Sequence, residues 1–99
     1  MARISYAFQA LADLERISDF LIESGQDAVA VLDLIDEAVA ILPRHPFIGR
    51  HVEDGLRELV ISQGHTGYVA LYSVEAEYDA ILVLAIRHQR AAGWNVPLI

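Results

Sequence analysis

The chain has 99 residues, the size of one domain able to bury a single core. It contains no cysteine, which excludes a disulfide scaffold, a thiol nucleophile and a thiolate metal site. Fourteen acids stand against seven arginines and no lysine, and the net charge of −7 excludes long-range attraction of nucleic acid.

The charge is uneven along the chain. Residues 1–42 hold two arginines and eight acids, whereas residues 43–99 hold five arginines, six acids and all four histidines. An anion would be met by the second part. Mean hydropathy is positive, so some apolar surface is expected to be covered by a partner.

Ala2 to Phe8 alternates Ile4, Tyr6 and Phe8 against Arg3, Ser5 and Ala7, which predicts a half-buried strand. The same stretch lacks a basic lead before an apolar core, so no secretory signal is read in it. From Gln9 to Glu23 the spacing changes. Leu11, Leu14, Ile17 and Leu21 recur at three and four residues, which predicts an amphipathic helix. Ser24-Gly25 supplies its stop. Asp27 is a suitable N-cap for a second helix over Ala28 to Leu42, closed by Pro43. The short connection predicts an antiparallel helical hairpin.

Pro43 to Gly55 reads as irregular, and its length marks it as a candidate functional loop. Three strands are then predicted, over Leu56–Ile61, Gly67–Val74 and Ile81–Ile86, joined at hairpin length by Gln63–Gly67 and Glu75–Tyr78. The last is apolar on both faces and is expected to be central. At seven residues, the apolar run from Ala80 to Ile86 is too short to cross a bilayer. It ends abruptly in Arg87-His88-Gln89-Arg90. The order strand, helix, helix, strand, strand, strand predicts an α+β domain over residues 1–99, a small mostly antiparallel sheet with a helical hairpin on one face.

Five pieces of this chain, in order, resemble the RelE/ParE family of bacterial toxins from type II toxin–antitoxin systems. They are Phe8-Gln9-Ala10-Leu11-Ala12-Asp13-Leu14, Leu42-Pro43-Arg44-His45-Pro46-Phe47-Ile48-Gly49-Arg50, Arg57-Glu58-Leu59, Gly67-Tyr68-Val69-Ala70-Leu71-Tyr72, and Ile81 to Arg90. The resemblance implies a cytoplasmic, plasmid-stabilisation-type toxin that inhibits growth and is held inactive by a cognate antitoxin. It leaves homodimer and toxin–antitoxin heterotetramer both open. One branch of the family cleaves messenger RNA on the ribosome; another poisons DNA gyrase. The cleaving branch usually carries an arginine three residues before the tyrosine that matches Tyr72, and here that position is Val69. The same branch is commonly rich in lysine. These departures favour the gyrase-directed reading, with messenger RNA cleavage as the alternative and a degenerate, binding-only toxin as a third. With so acidic a toxin, the antitoxin's wrapping segment is expected to be apolar and less acidic than usual.

Cleavage would need a base, a phosphate clamp and an acid. Glu53 or His51 would serve as base, Arg57 and Arg87 as clamp, and His88 as acid. The bland alternative pairs Arg57 with Glu58 or Asp54 and leaves His88 at a strand end. For target binding the expected residues are Arg87, His88, Arg90 and Trp94. No cofactor is expected. The spacing of His45, His51, His65 and His88 matches no metal-ligand pattern. Tyr68 and Tyr72 should share one strand face, as core rather than as stacking platforms.

Overall fold

A computed structural model describes residues 2–63, 66–90 and 94. His65 and the apolar tail after Arg90, apart from Trp94, lie outside the described residues. The elements run β1 (Arg3–Tyr6), α1 (Phe8–Glu23), α2 (Ala28–Val39), β2 (Arg50–His51), β3 (Leu56–Gln63), β4 (Thr66–Glu75) and β5 (Ala80–His88). One five-stranded sheet has the order β1-β5-β4-β3-β2. Among the described residues β1 and β5 pair in parallel and the other pairs are antiparallel. The α+β arrangement with a helical pair on the sheet is as expected.

Local chemistry sets the helix ends. Gly25 adopts φ +71° after α1, a conformation that glycine takes without a Cβ clash. The Asp27 side chain accepts from the Ala30 N–H at 3.0 Å and caps α2. α2 stops at Val39, three residues earlier than predicted. The Ile41 and Leu42 N–H groups bond three residues back, to Ala38 and Val39, in a tightened turn. A residue before proline disfavours the helical conformation, which bars Leu42 from continuing the helix.

α1 and α2 cover one face of the sheet. Ala10, Ile17 and Leu21 of α1, with Ile35 and Val39 of α2, meet Leu59, Ile61, Tyr68, Tyr72, Ile81, Val83 and Ile86. Tyr68 and Tyr72 are both buried on this face, as expected of core residues. The opposite face carries a smaller cluster of Leu56, Leu71 and Ala85, with Val52, Leu84 and Trp94 against it.

Two local features depart from the sequence reading. The segment Pro43–Gly55, read as irregular, contains the two-residue strand β2, paired with β3 through Arg50↔Glu58 and His51↔Arg57. In addition, the β4–β5 register steps from Leu71↔Ala85 to Tyr72↔Val83, leaving Leu84 unmatched. This bulge shifts the alternation of β5 by one residue. Val83 and Ile86, three apart, therefore both enter the helix-covered core, and everything after the bulge changes face.

Candidate functional site

The bulge decides where the C-terminal end of β5 points. Arg87 falls opposite Val69, on the open face, and His88 falls opposite Tyr68, on the helix-covered face. A carboxylate from α1 anchors this stretch. Asp13, only 3% exposed, accepts the Ile86 N–H at 2.8 Å. It also accepts from Gln9 at 2.9 Å and from Arg16 at 2.8 Å. β1 ends opposite Val83; beyond it, Asp13 serves as the hydrogen-bond partner that a strand would otherwise supply.

On the open face a polar cluster forms around Glu58 of β3, which is 6% exposed. Arg50 of β2 forms a hydrogen-bonded ion pair with its carboxylate. The Trp94 indole N–H donates to it at 2.8 Å. The Arg87 guanidinium lies 3.9 Å from it and stands over the Trp94 ring at 4.7 Å. Burial alone would raise the Glu58 carboxyl, but the bonds from Arg50 and Trp94 and the charges of Arg50 and Arg87 outweigh burial. They hold the group below the ordinary carboxylate value. Arg87 also donates to the His88 and Gln89 carbonyls at 3.2 and 3.3 Å. Two arginines and an indole are thus organised by one charged carboxylate.

Arg57 lies elsewhere. It is opposite Tyr72, on the helix-covered side of the sheet. It donates to the Phe47 and Gly49 carbonyls at 3.1 and 2.8 Å, and its guanidinium lies over the Phe47 ring at 5.0 Å. The pairing of Arg57 with Glu58 or Asp54 is not made among these contacts; Glu58, its neighbour in β3, points to the opposite face, and Asp54 lies in the turn before the strand. His88 sets its ring edge-on to Tyr68 at 5.4 Å. Both border a groove of about 490 Å³ with Arg16, Ile17, Phe20 and Arg87. The His88 Nδ1 accepts from the Arg90 N–H at 3.1 Å. Glu53 and His51 are exposed, Glu53 in the turn before β3, where Asp54 and Gly55 both take positive φ.

The fold therefore brings together Arg87 and Trp94 from the expected binding set, with Arg90 and His88 beside them in the chain. It places Arg57 and Arg87 on opposite faces of the sheet, while Arg87 and His88, on alternate faces of β5, border one groove at the strand end. Arg50 and Glu58 were missed as site residues. The available signal was the i, i+2 alternation of β3, which puts Glu58 on one face with the apolar Leu56 and Val60. No group of three or more potential metal-ligating side chains occurs among the described residues. No helix among them is long and apolar enough to cross a membrane.

Comparison with known proteins agrees with the fold and narrows the family. Residues 4–93 match the family described as ParE toxin of type II toxin–antitoxin system, parDE. Toxin RelE3 of Caulobacter vibrioides is 32% identical over 89 residues, which cover 89% of this chain and 95% of that protein. A structure described as the chromosomal ParDE TA system from P. aeruginosa superposes with a TM-score of 0.67 at 26% identity. It covers 87% of this chain and 94% of the other. The intact E. coli RelBE toxin–antitoxin complex gives 0.60 at 12% identity, covering 87% and 94%, a likeness of fold alone. With nearly its whole length matched, the chain belongs to the ParE toxin family of type II toxin–antitoxin systems.

Proposed function

We propose that this toxin inhibits growth by binding a macromolecular target, with DNA gyrase as that target, and that a cognate antitoxin neutralises it. The observation that carries the reading is the division of the sequence-derived catalytic set by the sheet. Arg87 stands on the open face and Arg57 on the other, so the two arginines of the phosphate clamp do not converge; His88 borders one groove with Arg87 at the strand end. Glu58, 3.9 Å from the Arg87 guanidinium, is held toward its charged form by its partners and engaged as an acceptor. A group so engaged serves poorly as a proton shuttle. Val69, the position where an RNA-cleaving relative would carry arginine, is 3% exposed and lies directly across from Arg87. What remains is a shaped, partly cationic surface of Arg50, Arg87, Arg90 and Trp94, suited to binding. The likeness to a ParDE toxin–antitoxin system supports an antitoxin as partner. The groove of Ile17, Phe20, Tyr68 and His88 offers an apolar seat to an antitoxin segment.

Ribosome-dependent cleavage is the second reading. It draws on the 32% identity to a protein named RelE3 and on the Arg87–Trp94 pair, which could hold a phosphate and a base together. The test is a paired assay on the purified, antitoxin-free protein: supercoiling by gyrase, and cleavage of a message on programmed ribosomes. Inhibited supercoiling with an intact message supports the proposal. A cut message with normal supercoiling replaces it with the cleavage reading. Silence in both assays points to another target or to a toxin that survives only as a binding module.

A further inference from the structure

The segment between α2 and β3 has a second property that the open-face cluster does not use. Its backbone is pinned to the sheet from two side chains. Tyr72, fully buried, donates its hydroxyl hydrogen to the Pro46 carbonyl at 2.8 Å and accepts the Gly49 N–H at 2.9 Å. Arg57 takes the carbonyls of Phe47 and Gly49. The Ile48 N–H closes a turn onto the His45 carbonyl at 3.1 Å. At Gly49 the chain sits so close to the sheet that a Cβ would meet the Tyr72 hydroxyl at 2.6 Å and the Glu58 carbonyl at 2.8 Å.

This bracing holds up two large apolar side chains that the core does not take. Phe47 is 64% exposed and Ile48 57% exposed. The Phe47 ring is oriented by the Arg57 guanidinium over it. Around them the charge reverses. Residues 43–52 contain Arg44, Arg50 and two histidines and no acid, so a +2 segment stands in a chain whose other residues sum to −9. Arg44, His45, Arg50 and His51 are all exposed. Braced apolar anchors, flanked in the chain by Arg44 and by an Arg50 paired to Glu58, are what an interface uses when the ordering of its contact residues is already done in the free protein.

We infer that Phe47 and Ile48 form a preformed anchor for the toxin's protein target, inserting into an apolar pocket rimmed by acidic side chains. The inference rests on the binding reading above and extends the target surface from Arg87 and Arg50 around the β2 edge. A protein pocket fits better than nucleic acid. Ile48 has no aromatic face on which a base could stack, the segment has no lysine, and the −7 chain repels a polyanion at long range. Electrostatic complementarity to an acidic rim would act locally and on the association rate.

The test compares the wild type with the Phe47→Ala/Ile48→Ala double variant in three measurements: growth arrest on induction, binding to the cognate antitoxin, and gyrase inhibition by the purified chain. Because both side chains are largely exposed, the variant should melt close to the wild type. Expected are lost growth arrest, an inhibitory concentration raised about thirtyfold, and unchanged antitoxin binding. Arg44→Glu should slow association without changing the melt. Growth arrest that persists in the double variant overturns the inference, as does a matching loss of antitoxin binding, which would make the anchor part of that interface. If the wild type arrests growth but spares gyrase, gyrase falls as the target. The anchor inference then stands or falls on the growth arrest of the variant alone. Message cleavage on ribosomes that the variant loses overturns the protein pocket in favour of a ribosomal contact. A wild-type chain that never arrests growth overturns both proposals.

Discussion

Replacing Asp13 with alanine isolates the anchor of β5. Three bonds vanish together. The largest effect is at the Ile86 N–H, a buried donor left without its acceptor, which costs about 1–3 kcal/mol. The Arg16 contact adds little, since that side chain is 65% exposed; such pairs contribute roughly 0.2–1 kcal/mol. The Gln9 bond adds a similar small amount. Together they amount to about 3 kcal/mol. For a domain of 99 residues each kcal/mol moves the melting temperature by roughly 4–8 °C, so a fall of about 12–24 °C is expected. Asp13→Asn retains one acceptor oxygen and should lie between alanine and the wild type. Amide hydrogen exchange supplies the local readout. The Ile86 amide should lose more protection than Ala70, which pairs with it across the ladder. A melt of Asp13→Ala within 2–3 °C of the wild type, roughly half a kcal/mol, would refute the reasoning. So would unchanged protection at Ile86.

Other outcomes are expected on the open face and at the pinned loop. Glu58→Gln should flatten the acid limb of the stability profile. The folded carboxyl lies below its ordinary value of 4.5, so its stabilisation is fully present above that pH and is lost as the pH falls through the folded value. Urea midpoints from pH 7 to pH 3 measure the difference, and equal slopes for the two proteins would count against the Glu58 account. Trp94 is the chain's single tryptophan, so its emission reports the cluster directly. Arg87→Ala should shift the Trp94 spectrum with little effect on the far-ultraviolet signal, and should weaken growth arrest; an unchanged spectrum would deny the Arg87–Trp94 contact. Tyr72→Phe strips the hydroxyl from Gly49 and Pro46, costs about 1–3 kcal/mol, and should loosen the loop enough to reduce growth arrest more than antitoxin binding. Calorimetry with both assays decides it.

How far the residues alone could reach differs from one element to another. The helices were readable because their apolar residues recur at three and four positions and because Gly25, Asp27 and Pro43 act within a turn of where they sit. Strands β3 to β5 were readable from apolar runs. β2 was not, since two residues carry no periodicity and Arg50-His51 is paired only because β3 lies beside it. The site was less readable for a related reason. Strand parity assigns faces only while the ladder is regular, and the unmatched Leu84 breaks it. Nothing in Ile81-Leu82-Val83-Leu84-Ala85-Ile86 signals a bulge, because every side chain in it is apolar. Arg57 and Arg87 therefore looked as though they could share a face, and the fold puts them on two. The proximity of Arg50 to Glu58 to Trp94 likewise depends on contacts between residues 8 and 36 apart, which composition and spacing do not encode.

Glu58 also sets how far this surface stands from a different biochemistry. Arginines beside an indole are the ingredients of a single-strand-binding platform, where a guanidinium holds phosphate and a ring takes a base. Here one buried carboxylate ties all three groups to the sheet and cancels part of their charge. It works as a damper on polyanion affinity. A single substitution that removes its charge would loosen two cations and an aromatic ring onto the same face at once.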